Sequence, residues 1–267
     1  MPTTGQIVLL LIAIAVLLAG GTISVARIRF ERPWSRLAAK VCMYVGLVVS
    51  LLVIAWHSMT RQSWLPLEDN FDTLIWLSVA LTGFVLYVQR RRPIPGMDWF
   101  VMPVVVLLLC LAAVSGSLIP HEYDVSSGWS WLHRITAYGG ALAFAIAGAA
   151  SAMYLIANYR LRRKSTLAGP KLGSLERLER LTLHAVTLGF PLLTIGAVTG
   201  FAQMRRDPHT PPLKIALSCL TWVIYALVLH ALLNPSFRGR RAAALSVVGF
   251  VMMIGTIVVV ELIQNRP

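Results

Sequence analysis

The stretch LTLHAVTLGFPLLTIGAVTGFAQMRRDPHTPPLKIALSCLTWVIYALVLHALL, Leu181 to Leu233, decides how the chain is read. Two apolar runs free of Asp, Glu, Lys and Arg flank a polar connection from Arg205 to Lys214. A helix needs roughly 17–25 apolar residues to cross the hydrocarbon core of a bilayer, and both runs supply them. Each run holds one histidine, His184 and His230. An ionisable side chain inside a membrane-length segment is costly and marks a functional position by default. If the first run rises through the membrane and the second returns, the two histidines share a depth. The expectation is an axial ligand pair on one metal centre, walled by Phe190, Leu193 and Trp222.

Outward from this stretch the pattern repeats. Cutting the sequence at its charged residues leaves uncharged runs at 5–26, 41–60, 73–89, 99–120, 135–159, 181–204, 215–237 and 242–260. The chain is 57% hydrophobic and only 13% charged, with mean hydropathy +0.71, which places it outside the soluble class. None of the runs alternates as a membrane barrel strand does. The expected fold is all-α: a polytopic bundle of eight transmembrane helices in one domain, 1–267. The helices are expected at about 5–26, 38–58, 72–89, 98–118, 131–158, 181–203, 213–233 and 241–261. Leu172, Leu175, Leu178 and Leu181, with Glu176, Arg177, Glu179 and Arg180 between them, predict an amphipathic inner-surface helix over about 172–181 that runs into the sixth span. Asp69 or Asn70 is positioned to cap the third helix, and Asp72 in its first turn favours the helix dipole.

The net charge of +13 invites a nucleic-acid reading, but its distribution excludes one. Most of the 24 basic residues sit after the first, third, fifth and seventh runs: Arg27 to Lys40, Arg90 to Arg92, Arg160 to Arg180, and Arg238 to Arg241. The positive-inside rule then puts those loops in the cytoplasm and both termini outside, in an inner or plasma membrane. The basic charge is read as topology and contact with the lipid bilayer, with no nucleic acid as partner. The cysteines, Cys42, Cys110 and Cys219, stand singly in apolar runs and are expected to pack in the core. There is no His-Glu-x-x-His, no Gly-rich phosphate loop and no paired carboxylate in a span, so no bond-making chemistry is expected. The missing intramembrane carboxylates also lower a solute transporter to a distant alternative.

By the same topology His57 ends the second helix and His133 opens the fifth, both at the outer side, with His121 and His209 in outer loops. The fifth run is rich in small residues (Gly139, Gly140, Ala141, Ala143, Ala145, Gly148), a surface that admits a close neighbour or a flat ligand.

Several segments together resemble the cytochrome c assembly protein family (CcsA/ResC/CcmC-like). GFPLLTIGAVTG (Gly189–Gly200) resembles its Gly-Phe-x-Leu-Leu-Thr-x-Gly-x-x-x-Gly helix, and Lys214–Leu233 its Thr-Trp-x-x-Tyr-x-x-x-Leu-His segment, with Trp222, Tyr225 and His230 in register. Arg238–Phe250 resembles the entry to its last helix, Trp56–Met59 and Pro66–Leu74 its early loop, and Ser130–Tyr138 its Trp-Leu-x-x-His helix start. The anchors cover residues 45–255. The resemblance implies a membrane haem-handling protein that binds or passes haem b, or acts as an accessory factor beside other cytochrome c assembly membrane proteins. It carries ligand roles to His230 and His133, with His57 a further match. His184 and Trp222 enter through the geometric argument. The family's tryptophan-rich signature is replaced here by FAQMRRDPHTPPLK (Phe201–Lys214), which moves the expectation toward the HemX-like branch. A membrane regulator or scaffold of haem biosynthesis without bound haem is the alternative.

Overall fold

The computed structural model describes residues 2–26, 33–61, 69–117, 128–163, 173–204, 212–234, 237 and 239–264. Within them the chain is helical: α1 (Thr4–Ala26), α2 (Pro33–Arg61), α3 (Asn70–Arg91), α4 (Met97–Ser117), α5 (Gly128–Arg162), α6 (Leu175–Met204), α7 (Pro212–Leu233) and α8 (Arg240–Gln264). Each is long and apolar enough to cross a membrane, and no strand occurs among the described residues. In lipid this is the required solution, because a helix satisfies its own backbone polar groups.

Helix ends depart from the expected spans in one direction. α2 begins at Pro33 rather than 38, α5 runs from Gly128 to Arg162, and α6 begins at Leu175. The added turns carry Trp34, Arg36, Arg160, Arg177 and Arg180, polar or interfacial residues that a helix accommodates well. Hydropathy marks where the hydrocarbon stops, and the helix continues past it. The amphipathic turns after Ser174 are therefore the start of α6 itself, tied by a Glu176–Arg180 ion pair at 2.7 Å. Pro191 lies within α6, which runs through it.

The helices form two compact units. In unit 1, α1 packs on α2 and α4, and α3 on α2 and α4. Leu10, Leu17, Met43, Ile75, Leu81 and Met102 fill its core. Gly20 lets α1 approach α2 so closely that a Cβ there would stand 2.8 Å from the Cβ of Cys42.

In unit 2, α5 is the centre. It lies along α6 over the longest shared surface and also packs on α8, while α7 packs on both α6 and α8. Phe144 of α5 stacks on Tyr225 of α7, ring centroids 3.4 Å apart and 13° from parallel. The small-residue face of α5 is taken up by neighbouring helices. A Cβ on Gly140 would lie 3.2 Å from the backbone nitrogen of Leu193, and one on Gly196 would lie 3.1 Å from that of Ala137. Cys110 and Cys219 are exposed on helix surfaces, not packed in a core as expected. The run that holds each cysteine gives its depth but not which way it faces.

Backbone-to-backbone approach predicts asymmetric glycine substitutions. Gly196→Leu has no flexible neighbour to displace and should destabilise unit 2 by about 1–3 kcal/mol, as overpacking does. At Gly83 an added Cβ would meet nothing within 4 Å, so alanine should be accepted there with a gain of up to about 1 kcal/mol from helix propensity. Thermal unfolding of the detergent-purified variants, followed by helical circular dichroism, checks both signs.

Candidate functional site

The expected site histidines differ sharply in surroundings, and His133 is the most constrained of those in unit 2. It lies in the second turn of α5, half-buried, facing the far end of α6. Its Nδ1 is 2.7 Å from the carbonyl oxygen of Gly196 and 3.4 Å from Oγ1 of Thr199. A carbonyl only accepts, so Nδ1 carries the proton and donates. That fixes the tautomer and leaves the lone pair on Nε2, the form in which imidazole ligates a metal. The approach depends on the glycines. A Cβ on Gly200 would lie 2.7 Å from Cε1 of the His133 ring. Gly196 and Gly200 form a small-xxx-small step, and the imidazole lies over it.

His184 and His230 are both exposed on unit 2, and among the described residues neither ring has a hydrogen-bond, ion-pair or aromatic partner. A shared axial pair requires two rings turned toward one iron, and outward exposure of both lends that arrangement no support. Trp222, expected as a wall of that site, is instead a tie between α6 and α7. Its Nε1 donates to Oγ1 of Thr194 at 3.0 Å and its ring rests against Phe190 at 5.5 Å.

This tie also sets distances. Thr194 is ten residues before the end of α6 and Trp222 ten residues after the start of α7, as in an antiparallel hairpin. His230 lies beyond Trp222 in one direction, and the Gly196–Gly200 step lies beyond Thr194 in the other. At 1.5 Å per residue, His133 and His230 stand roughly 20 Å apart along the bundle. They cannot share an iron; they belong to opposite ends of unit 2.

His57, in unit 1, is enclosed. Its side chain is 1% exposed, and its Nδ1 lies 3.4 Å from Oδ1 of Asp72, also 1% exposed. Phe71 meets the ring edge-on at 5.1 Å. Asp69 caps α3: its Oδ1 accepts from the backbone N–H of Asp72 at 2.9 Å, and its Oδ2 from Nη1 of Arg61 at 2.9 Å. Gln6 of α1 adds a bond from its Nε2 to Oγ1 of Thr60 at 3.3 Å. The sequence marks Asp69 as a cap and Asp72 as a dipole partner. It does not bring either to His57, since that requires the facing of α2 on α3. His121 and His209 lie outside the described residues.

Residues 34–265 match the family described as Cytochrome C assembly protein. Similar curated proteins include the cytochrome c biogenesis protein CcsA of Mesostigma viride, 23% identical over 78% of this chain and 76% of that protein. That of Prochlorococcus marinus strain MIT 9312 is 24% identical over 79% and 76%. That of Pyropia yezoensis is 22% identical over 82% of each. No solved structure matches the chain significantly. These relatives do not favour the alternative of a haem-free scaffold of haem biosynthesis.

The cap makes a stability prediction. Asp69→Ala removes an N-cap acceptor and the partner of Arg61 together. It should cost about 1–2 kcal/mol, read as a lower unfolding midpoint in detergent, whereas Asp69→Asn should keep most of the cap and lose less.

Proposed function

The chain belongs to the cytochrome C assembly protein family as a multi-pass membrane protein of cytochrome c biogenesis, and from that premise we propose that it carries haem b as cargo through two histidine positions, His133 and His230. The observation that carries the reading is the bond from Nδ1 of His133 to the Gly196 carbonyl. A metal-ligating histidine characteristically donates its other ring N–H to a carbonyl or carboxylate, which fixes the ring and strengthens the ligating nitrogen. Haem supplies an iron that accepts neutral imidazole, and the donor chemistry of His133 fits it.

His230, exposed on α7, is open to a flat apolar group arriving from the lipid side. With roughly 20 Å between it and His133, the two serve successive positions of one cargo and not one coordination sphere. Between them Phe190 and Trp222 meet at 5.5 Å and give the path an aromatic wall at mid-height. The chain performs no bond-making step in this reading. Its residues hold the haem, keep one ring nitrogen deprotonated, and hand the cargo to other membrane components of cytochrome c assembly.

Detergent-purified protein supplied with haem should show a Soret band characteristic of imidazole ligation. His133→Ala should weaken haem binding at its position by at least about tenfold, with added imidazole restoring the band, as for loss of a single ligand. His230→Ala should reduce the haem stoichiometry independently of His133→Ala. Identical spectra and stoichiometry across wild type and both variants would sink the assignment.

A further inference from the structure

The buried cluster in unit 1 is not used by the haem reading. His57, Asp69 and Asp72 each offer one donor atom, and the three atoms lie within 4.8 Å of one another. All three residues are buried. We propose that His57, Asp69 and Asp72 bind a divalent first-row transition-metal cation of the zinc class.

Three features carry this. The first is donor chemistry. One imidazole with two carboxylates is a mixed nitrogen–oxygen set, suited to Zn²⁺, Mn²⁺ or Fe²⁺; an all-oxygen set would point to Ca²⁺ or Mg²⁺ and a thiolate set to Cu⁺. The second is the buried imidazole. Nδ1 of His57 is sealed from solvent, lies 3.4 Å from the carboxylate of Asp72, and makes no hydrogen bond. A buried polar atom left in that state calls for an occupant, and a cation is one kind. The third is charge. Two carboxylates at the end of a span are costly to desolvate. Arg61 offsets part of Asp69, since it bonds Oδ2, while Oδ1 faces the backbone N–H of Asp72. A dication between Asp69 and Asp72 would be attracted to both carboxylates, and more strongly for their burial.

Zinc bonds of about 2.0–2.2 Å in a tetrahedral shell bring donors to about 3.4 Å of one another. The three donor atoms, within 4.8 Å of one another, stand somewhat outside that spacing, so binding would draw them together. Asp69 and Asp72 lie one turn apart at the start of α3, and His57 lies one turn before the end of α2. A bound cation would therefore clamp the α2–α3 hairpin beside its connection. Three protein ligands leave a fourth position for water or an exchangeable group.

The test uses the full chain in detergent, with any affinity tag removed and chelator dialysed away, titrated with Zn²⁺ alone. Wild type should bind one equivalent saturably and gain a higher unfolding midpoint on binding. His57→Gln and Asp72→Asn, which keep side-chain volume, should each weaken binding more than about tenfold and lose the midpoint gain. His184→Ala, which removes an exposed imidazole, should change neither. Co²⁺ as the probe should give visible absorption bands in wild type that His57→Gln abolishes. Two outcomes overturn the proposal. One is no saturable Zn²⁺ in folded wild type, which leaves a His57–Asp72 polar pair only. The other is binding that persists undiminished in both cluster variants. Neither outcome touches the Soret measurements on His133, so the haem reading and the cation site fail separately.

Discussion

Lipid gives helices no hydrophobic reward for meeting one another. Close approach of backbones, and the dispersion and hydrogen bonding it allows, must hold them together instead. In this chain the requirement falls on the α5–α6 contact. Gly140, Gly189 and Gly196 bring the helices so near that a methyl group would press on a neighbour's backbone or ring. The same nearness fixes the His133 ring. The carbonyl of Gly196 is within reach of His133 because no side chain stands between the helices at that level, and Gly200 leaves room for the ring itself. Packing and the orientation of a donor nitrogen are therefore one constraint: a bulky residue at either glycine would separate the helices and release the imidazole tautomer together.

How much of this is legible in the sequence follows from what each signal measures. The eight spans are readable because hydrocarbon thickness sets a minimum run of apolar residues, and every run meets it. Their ends are not, because Arg160, Arg162, Arg177 and Arg180 extend helices beyond the point where hydropathy closes them. For the histidines, run and topology give an expected depth but say nothing of azimuth. His184 and His230 share an expected level that suggests a pair, yet both are exposed. The low periodic contrast of a span that is apolar on every side hides which face turns inward. His133 is reached in the sequence through family resemblance. Its physical signal, the Gly196–Gly200 step on another helix, acquires meaning only once α5 lies on α6. Asp72 illustrates the same limit, since a dipole partner and a histidine partner look identical in one dimension.

His57 and His133 also share a location within their units that physics favours. Each sits at a helix end, His57 near the close of α2 and His133 near the start of α5. A polar group costs least there, where it is nearest the interface and where free backbone groups supply partners. For His133 the partner is a carbonyl, neutral and fixed, which leaves a lone pair on the other ring nitrogen without adding charge beside it. For His57 the neighbours are carboxylates, one of them already held by Arg61. A neutral partner suits a ligand that must release a large apolar macrocycle, because the site gains little electrostatic hold on it. Anionic partners suit a small cation that must stay, because its attraction to them grows as water is excluded. The difference between Gly196 and Asp72 as neighbours of a histidine is the difference that the proposed transit of haem at His133 and the proposed residence of a cation at His57 would require of one side chain.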